Sequence, residues 1–258
     1  MITAGIDVGF ENIKVVIFSG DKVLARAKGR SGGAQRGEAA QELYARALGE
    51  AGLAADDVEN VVATGQGKFD VSFASKTVTE PIAGAAAARF FAADAKMVMD
   101  AGADQVRVVP LKEGGKLGQL VFNQKCSAGL GTMLRFLSYR LEMSLDEISM
   151  LGEDAAKGIE INDGCIVFAE LDALENLNKK VPREHIAAAA NVVAGYRLNA
   201  LLHDKELPEK GDKIILIGGL TQNKAVMDVF RKRSQTVTVI PEDAEFGCAL
   251  GAAIKAAT

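Results

Sequence analysis

The segment that decides the fold occurs in two similar copies: residues 6–16 read IDVGFENIKVV, and residues 99–109 read MDAGADQVRVV. Aligned without a gap, the two copies share an acidic, a glycine and a basic position, namely Asp7 and Asp100, Gly9 and Gly102, and Lys14 and Arg107. Internal similarity of this kind predicts two units with similar folds.

Each copy has the pattern of a strand followed by a hairpin. A short apolar run leads to Asp-x-Gly, then comes a second apolar run, a turn and a third apolar run. The turns are SGDK at 19–22 and EGGK at 113–116. Apolar runs separated by glycine-containing turns are typical of β-hairpins, and in each copy the acidic residue marks the end of the first strand.

The rest of the chain alternates helix and strand patterns. Helical spacing predicts helices at 37–52, 81–96, 130–141, 183–206 and 244–257, whereas β-rich runs predict strands at 59–65, 213–217 and 236–240. This alternation predicts an α/β protein with two lobes facing each other across a cleft. We expect a first lobe at 1–93, a second lobe with the cysteine loops at 94–243, and a C-terminal helix at 244–258 that packs back on the first lobe.

Composition narrows the classes of function. The chain has 258 residues, a formal net charge of -4 and no long Lys/Arg run, which argues against nucleic acid or an anionic membrane as the main partner. The first apolar run reaches Asp7 too early for a signal peptide or a membrane span, so we expect a cytoplasmic protein. Three cysteines do not make a disulfide framework.

The glycine turns are candidate phosphate sites. An Asp at a strand end beside a glycine turn suits a hydrated divalent cation, while N–H groups of the turn bind phosphate oxygens. A third glycine element, GGLTQN at 218–223, lies between a strand and a helix, where anionic or polar ligands are favoured. One such turn alone is more often a capped β-turn, but three together favour nucleotide binding.

The cysteines are packing residues, nucleophiles or metal ligands. Cys126 and Cys165 lie far apart in the sequence, so they form no CxxC zinc motif. Cys248, in an Ala/Gly-rich helix, is most simply a packing residue. Cys126 precedes the helix predicted from Leu130, whose N-terminal dipole stabilises a thiolate. From the residues alone, Cys126 is either a ligand or a buried, inert thiol.

Seven motifs carry a family resemblance: GIDVG, ATGQGK, TEPIAGAAA, NQKCSAGLG, GCIVFAE, GGLTQN and GCALGAA. Together they resemble the ATPase family that includes the activators of 2-hydroxyacyl-CoA dehydratases and the ATPase subunits of benzoyl-CoA reductase. The resemblance covers nearly the whole chain. It implies the acetate-kinase/sugar-kinase/Hsp70/actin superfamily, an α/β fold of two ribonuclease-H-like lobes around a nucleotide cleft.

The resemblance also implies an ATP-driven electron transfer that starts from ferredoxin. One [4Fe-4S] cluster would be shared between two chains and ligated here by Cys126 and Cys165. Asp7 and Asp100 would organise Mg²⁺ and the attacking water, with Lys14 or Arg107 on phosphate in the turns of Gly9 and Gly102. Three residues would lie at the adenosine: Gly218, Gly219 and Asn223.

Several motifs depart from the family pattern. Phe10, Glu11 and Asn12 follow the first Asp-x-Gly, where small hydroxyl residues are common, and Ala103 replaces a glycine of the second motif. These departures favour a benzoyl-CoA-reductase-type ATPase subunit, paired with a second, homologous ATPase chain and acting on an acyl-CoA reductase. The alternatives are a homodimeric dehydratase activator, a nucleotide-binding regulatory subunit, and a sugar kinase of the same fold.

Overall fold

The structure is a computed structural model that describes residues 1–113, 116–123, 129–203 and 209–258. The chain divides into two compact units. The first comprises Met1–Val98 together with Pro241–Thr258, and the second comprises Met99–Ile240. Within the described residues, no helix is both long enough and apolar enough to cross a bilayer.

The first unit is built on a five-stranded sheet with the order β3-β2-β1-β4-β5. β2 is antiparallel to both β1 and β3, and β4 is parallel to β1 and to β5. The first three strands therefore form the predicted hairpin arrangement, and the sheet then continues in parallel. The strands are β1 (Ile2–Val8), β2 (Asn12–Ser19), β3 (Lys22–Arg30), β4 (Asn60–Thr64) and β5 (Lys76–Thr77).

Helices α1 (Arg36–Ala51) and α2 (Glu80–Phe91) follow β3 and β5. The apolar side of α1, including Leu43 and Ala47, packs on one face of the sheet with Ile6 and Val15. α1 ends at Gly52, which adopts φ +69° and donates its N–H to the last helical carbonyls. α2 begins with Pro81 in its first turn, as predicted.

The second unit repeats the sheet. Its strand order is β10-β9-β6-β7-β8, which is the order of the first sheet read from the other edge. β7 and β8 are antiparallel, and β9 and β10 are parallel. The strands are β6 (Met97–Ala101), β7 (Val106–Pro110), β8 (Val121–Phe122), β9 (Lys213–Ile217) and β10 (Val237–Val239).

A helical segment separates β8 from β9 in the second unit. It contains α3 (Leu130–Leu141), α4 (Leu145–Ser149), α5 (Ile166–Asn178) and α6 (Arg183–Ala200), and α7 (Lys224–Arg233) follows β9. The predicted leucine face of α3 is buried, since its four leucines are at most 2% exposed. α6 approaches α7 closely at Gly195, where a Cβ would lie 2.4 Å from Val229 Cγ1.

The last helix, α8 (Gly247–Ala256), returns to the first unit and covers the second face of its sheet. Gly5 permits this contact, since a Cβ there would lie 1.9 Å from the carbonyl oxygen of Ala249. Val16 and Phe18 pack against the same helix. Just before α8, the exposed side of β3 forms two ion pairs with the returning chain, Arg26 with Asp243 and Lys28 with Glu245.

The predicted α/β class with two ribonuclease-H-like units is confirmed by the two matching five-stranded sheets. Two predicted helices are too long. α2 ends at Phe91 rather than residue 96, because Ala92 is extended and the chain turns towards β6. α6 ends at Ala200 and a 3₁₀ turn follows to His203, whereas the rest of the helix predicted to 206 lies outside the described residues.

The contact between α2 and α8 gives a test of this packing. At Gly251 a Cβ would lie 1.8 Å from the carbonyl oxygen of Ala83. We expect Gly251→Ala to lower the free energy of unfolding by about 3 kcal/mol, because the helices must separate. Gly49→Ala is the control: Gly49 is exposed in α1 with no neighbouring atom within 4 Å, so alanine should add about 0.5–1 kcal/mol. Urea unfolding measures both changes, and equal effects would contradict the packing.

Candidate active site

The first Asp-x-Gly turn joins β1 to β2. Asp7 and Lys14 are register partners in these strands, and Lys14 Nζ donates to Asp7 Oδ2 at 3.2 Å. Both side chains are only 12% exposed. The N–H of Gly9 donates to the carbonyl oxygen of Asn12 at 3.1 Å and closes the turn. The carboxylate and the ammonium group therefore meet at the end of β1.

The second turn has the same geometry. Arg107 Nη1 lies 3.2 Å from Asp100 Oδ2, and the N–H of Gly102 donates to the carbonyl oxygen of Gln105 at 3.0 Å. Arg107 also donates to Gln105 Oε1 at 2.8 Å. The structure thus brings together the acid and the base of each copy, a pairing that the repeat alone did not predict.

Each turn leaves too little room for a side chain at its glycine. A Cβ at Gly9 would lie 2.9 Å from the carbonyl oxygen of Asn12, and one at Gly102 would lie 3.0 Å from that of Gln105. The two N–H groups are bonded within the turns. The predicted roles of Gly9 and Gly102 in ATP binding stay predictions.

A second glycine supports each carboxylate, and the sequence alone did not relate these two glycines. Gly65 follows β4 with φ +89°, and Gly218 follows β9 with φ +97°. A Cβ at Gly65 would lie 2.7 Å from Asp7 Oδ1, and one at Gly218 would lie 2.7 Å from Asp100 Oδ1. The motifs TGQG and GGLTQN are therefore structural equivalents. One sequence feature could have related the two motifs: in each unit, a glycine comes directly after the first strand that follows the hairpin, which is β4 in the first unit and β9 in the second.

Asn223 lies at the N-terminus of α7. Its Oδ1 accepts the N–H of Val226 at 2.9 Å, and its Nδ2 donates to Asn191 Oδ1 at 2.9 Å. Asn191 in turn donates to the carbonyl oxygens of Ile148 and Leu151. The side chain thus caps a helix and joins a buried amide network. Its contact with adenosine stays a prediction, as do those of Gly218 and Gly219.

The cysteines occupy different environments. Cys165 is the N-cap residue of α5 and partly exposed, and its N–H donates to Asn162 Oδ1 at 2.9 Å. Cys248 is buried in α8, which agrees with a packing role. Cys126 lies outside the described residues. Glu170, one turn into α5, forms an ion pair with Arg140 of α3.

Direct metal binding needs several ligating side chains close together. In the parts of the chain that the structure describes, no three His, Cys, Asp or Glu residues form such a group. Each Asp-x-Gly turn instead offers one carboxylate beside one Lys or Arg side chain. A single carboxylate suits Mg²⁺ that is bound together with phosphate oxygens, because Mg²⁺ keeps several of its waters.

Comparison with known proteins gives the class and then the family. An ATPase family model matches residues 4–256, nearly the whole chain, so the protein is an ATPase. The model is that of the BadF/BadG/BcrA/BcrD ATPase family, and the chain belongs to this family. The family resemblance predicted from the motifs is confirmed.

Three relatives illustrate the similarity. The chain is 30% identical to the activator of lactoyl-CoA dehydratase from Anaerotignum propionicum, over 99% of this chain and 97% of that protein. It is 29% identical to one of the subunits of benzoyl-CoA reductase from Thauera aromatica, over 98% of this chain and 92% of that protein. The solved activator of the 2-hydroxyisocaproyl-CoA dehydratase from Clostridium difficile, with bound ADPNP, superimposes with a TM-score of 0.86 at 26% identity, over 99% of this chain and 94% of that one.

The amide network around Asn223 gives a second test. Asn223→Ala should lower the free energy of unfolding by about 2 kcal/mol, because it removes the helix cap and leaves Asn191 Oδ1 unpaired. Asn223→Ser keeps a capping oxygen and should cost about half as much. Urea unfolding measures both variants, and equal losses would mean that the cap contributes nothing.

Asn223→Ser also tests the predicted contact with adenosine. If the amide binds the adenosine, the variant should bind ADP about fivefold more weakly, since one hydrogen bond is worth about 1 kcal/mol. Isothermal titration calorimetry measures the Kd. An unchanged Kd in the folded variant would restrict Asn223 to its role in the fold.

Proposed function

We propose that this ATPase is an activator that delivers electrons at low potential to a 2-hydroxyacyl-CoA dehydratase. The observation that carries this proposal is the similarity over almost the full length to the activator of lactoyl-CoA dehydratase. The solved dehydratase activator, which superimposes over 99% of this chain, supports the same assignment.

An ATPase subunit of a benzoyl-CoA-type reductase is the second candidate. The sequence departures favoured this role, and one relative belongs to a benzoyl-CoA reductase. Activators of dehydratases are more numerous among the curated relatives, so they support the activator role better than the reductase role. In both cases the chain acts on a separate protein that binds the acyl-CoA thioester.

Asp7 and Asp100 are the proposed catalytic carboxylates. Each lies at a strand end within 3.2 Å of a basic side chain, and each is supported by a glycine that leaves room for the carboxylate. Mg²⁺ bound with ATP would neutralise phosphate charge. Lys14 and Arg107 orient the carboxylates and add positive charge for the phosphates. Gly218, Gly219 and Asn223 are assigned to the adenosine side.

Cys126 and Cys165 are the proposed ligands of a [4Fe-4S] cluster shared between two chains. Cys165 fits this role because it caps the N-terminus of the 13-residue helix α5, where the helix dipole stabilises a thiolate. Two hydrogen bonds to Asn162 Oδ1, from the N–H groups of Gly164 and Cys165, fix the loop that carries the thiol. When bound, such a cluster supplies one-electron transfer.

The proposed partners follow from this chemistry. A second ATPase chain, a copy of this one in the activator role, supplies the other two thiolates, because a cubane cluster takes four. Ferredoxin is the proposed electron donor, and the dehydratase is the acceptor. ATP hydrolysis would change the surroundings of the cluster, since solvent exposure and hydrogen bonds to sulfur set its potential.

The cluster is tested by iron analysis after anaerobic purification. We expect about four iron atoms per two chains, lost in Cys126→Ala and in Cys165→Ala. Cys248→Ala is the matched control and should retain the iron, because Cys248 is buried in α8. Iron retained by all three variants, or none in the wild-type protein, would contradict the assignment.

ATP hydrolysis tests the two carboxylates. Asp7→Asn and Asp100→Asn should each lower kcat about 100-fold or more, since a side chain that activates water contributes on this scale. Asp56→Asn, in an exposed turn of the first unit, is the control and should leave kcat unchanged. Full turnover by Asp100→Asn would remove the second unit's carboxylate from the catalytic assignment. Phosphate release is the measurement.

A further inference from the structure

The second Asp-x-Gly turn is bonded directly to the start of helix α3. The carbonyl oxygen of Ala103, in the turn, accepts two hydrogen bonds from Thr132, one from its N–H and one from its hydroxyl, each 3.0 Å long. Ala103 follows Gly102 and lies shortly after Asp100 in the same turn. One oxygen atom of the turn therefore holds the first residues of a 12-residue helix.

The backbones of the turn and of the helix also meet closely. At Gly131 a Cβ would lie 2.8 Å from the Cα of Ala103 and 3.3 Å from the carbonyl oxygen of Gly102. No flexible side chain separates the two segments at this point. Because packed backbones resist compression, a shift of the turn displaces the start of α3 with it.

Helix α3 in turn packs beside the end of α5 that carries Cys165. A Cβ at Gly129 would lie 3.3 Å from Ile166 Cδ1, and Ile166 is the residue after Cys165. Further along, Arg140 of α3 forms an ion pair with Glu170 of α5 at 2.5 Å. The two helices are joined at two points, so we expect them to move together.

The first Asp-x-Gly turn is held in a different way. Phe10 has the position of Ala103 in the aligned copies, and its carbonyl oxygen accepts the hydroxyl of Ser31 at 3.0 Å. Ser31 is the residue directly after β3, so this turn is held by the chain that leaves its own sheet. Among the contacts of the described residues, it is thus the second turn that leads towards a proposed cluster ligand, Cys165.

We propose that the contact between Ala103 and Thr132 couples the nucleotide at the second turn to the helices at the cluster. The inference rests on the proposed function, which assigns Asp100 to the nucleotide and Cys165 to the cluster. A nucleotide that shifts the turn moves the Ala103 carbonyl, and α3 and α5 follow through their contacts. Exchange of ADP for ATP then changes the exposure of the cluster to solvent, which is one of the factors that set its potential. Thr132 is a positioning residue that acts through the helix.

Hydrogen exchange tests the step from the turn to the helix. The N–H of Thr132 bonds to the turn, so its exchange rate reports on this contact directly. In wild type, exchange at the start of α3 should differ about tenfold between the protein saturated with ADP and with the non-hydrolysable ATP analogue ADPNP. Thr132→Val keeps the shape but lacks the hydroxyl, and it should reduce this difference to about twofold, since one hydrogen bond contributes about fivefold.

Iron removal tests the step from the helices to the cluster. The rate at which a water-soluble chelator removes iron reports how far the cluster is exposed to solvent. This rate should differ about tenfold between the ADP and ADPNP forms of wild type, and about twofold in Thr132→Val. Thr132→Ser keeps a hydroxyl and should restore the wild-type difference. Ser31→Ala is the matched control: it removes the equivalent bond of the first unit and should also keep that difference.

The outcomes separate this inference from the proposed function. If wild type binds the cluster, an equal nucleotide dependence in wild type and Thr132→Val overturns the inference alone. The same holds if neither exchange nor iron removal in wild type responds to the nucleotide, if Thr132→Ser behaves as Thr132→Val, or if Ser31→Ala loses the response as well. A wild-type protein that binds no iron contradicts the proposed cluster, and the inference fails with it.

Discussion

The site depends on one steric constraint: a carboxylate at a strand end fits only against a backbone that has no Cβ. In the first unit Asp7 Oδ1 occupies the space that a side chain at Gly65 would fill, and in the second unit Asp100 has the same relation to Gly218. Both glycines adopt a positive φ that other residues reach at a cost. Each basic side chain then holds the other carboxylate oxygen, so the acid is fixed from two sides.

The same steric constraint holds in both units, but the helices around the two sheets differ. In the first unit the sheet is covered by α1 on one face and by α8 on the other, with Gly5 allowing the close approach. The second unit inserts α3 to α6 between its third and fourth strands, and this insertion carries Cys165. Duplication thus supplies two similar Asp-x-Gly turns, whereas the insertion carries one of the two cysteines that we propose as cluster ligands.

The sequence predicted the features that depend on local pattern. The repeat, the two hairpins and the buried leucine face of α3 all follow from spacing within short segments. Features that depend on distant contacts could not be predicted in this way. The equivalence of Gly65 and Gly218 arises from strand pairing. The short helix α4 was not predicted, although its Ser144–Glu147 capping box is a local signal in the sequence. The two-residue strand β5 has no periodicity to detect.

The position of α8 in the chain has a consequence for synthesis on the ribosome. Residues 247–256 cover one face of a sheet whose other elements lie within the first 98 residues, and all of the second unit is translated between them. Val16, Phe18 and Val62 pack on this helix, so they stay uncovered until it has been made. The second unit is contiguous in sequence and is able to fold during translation, whereas the first unit completes its core last. The nascent chain therefore exposes an apolar sheet face for most of its elongation.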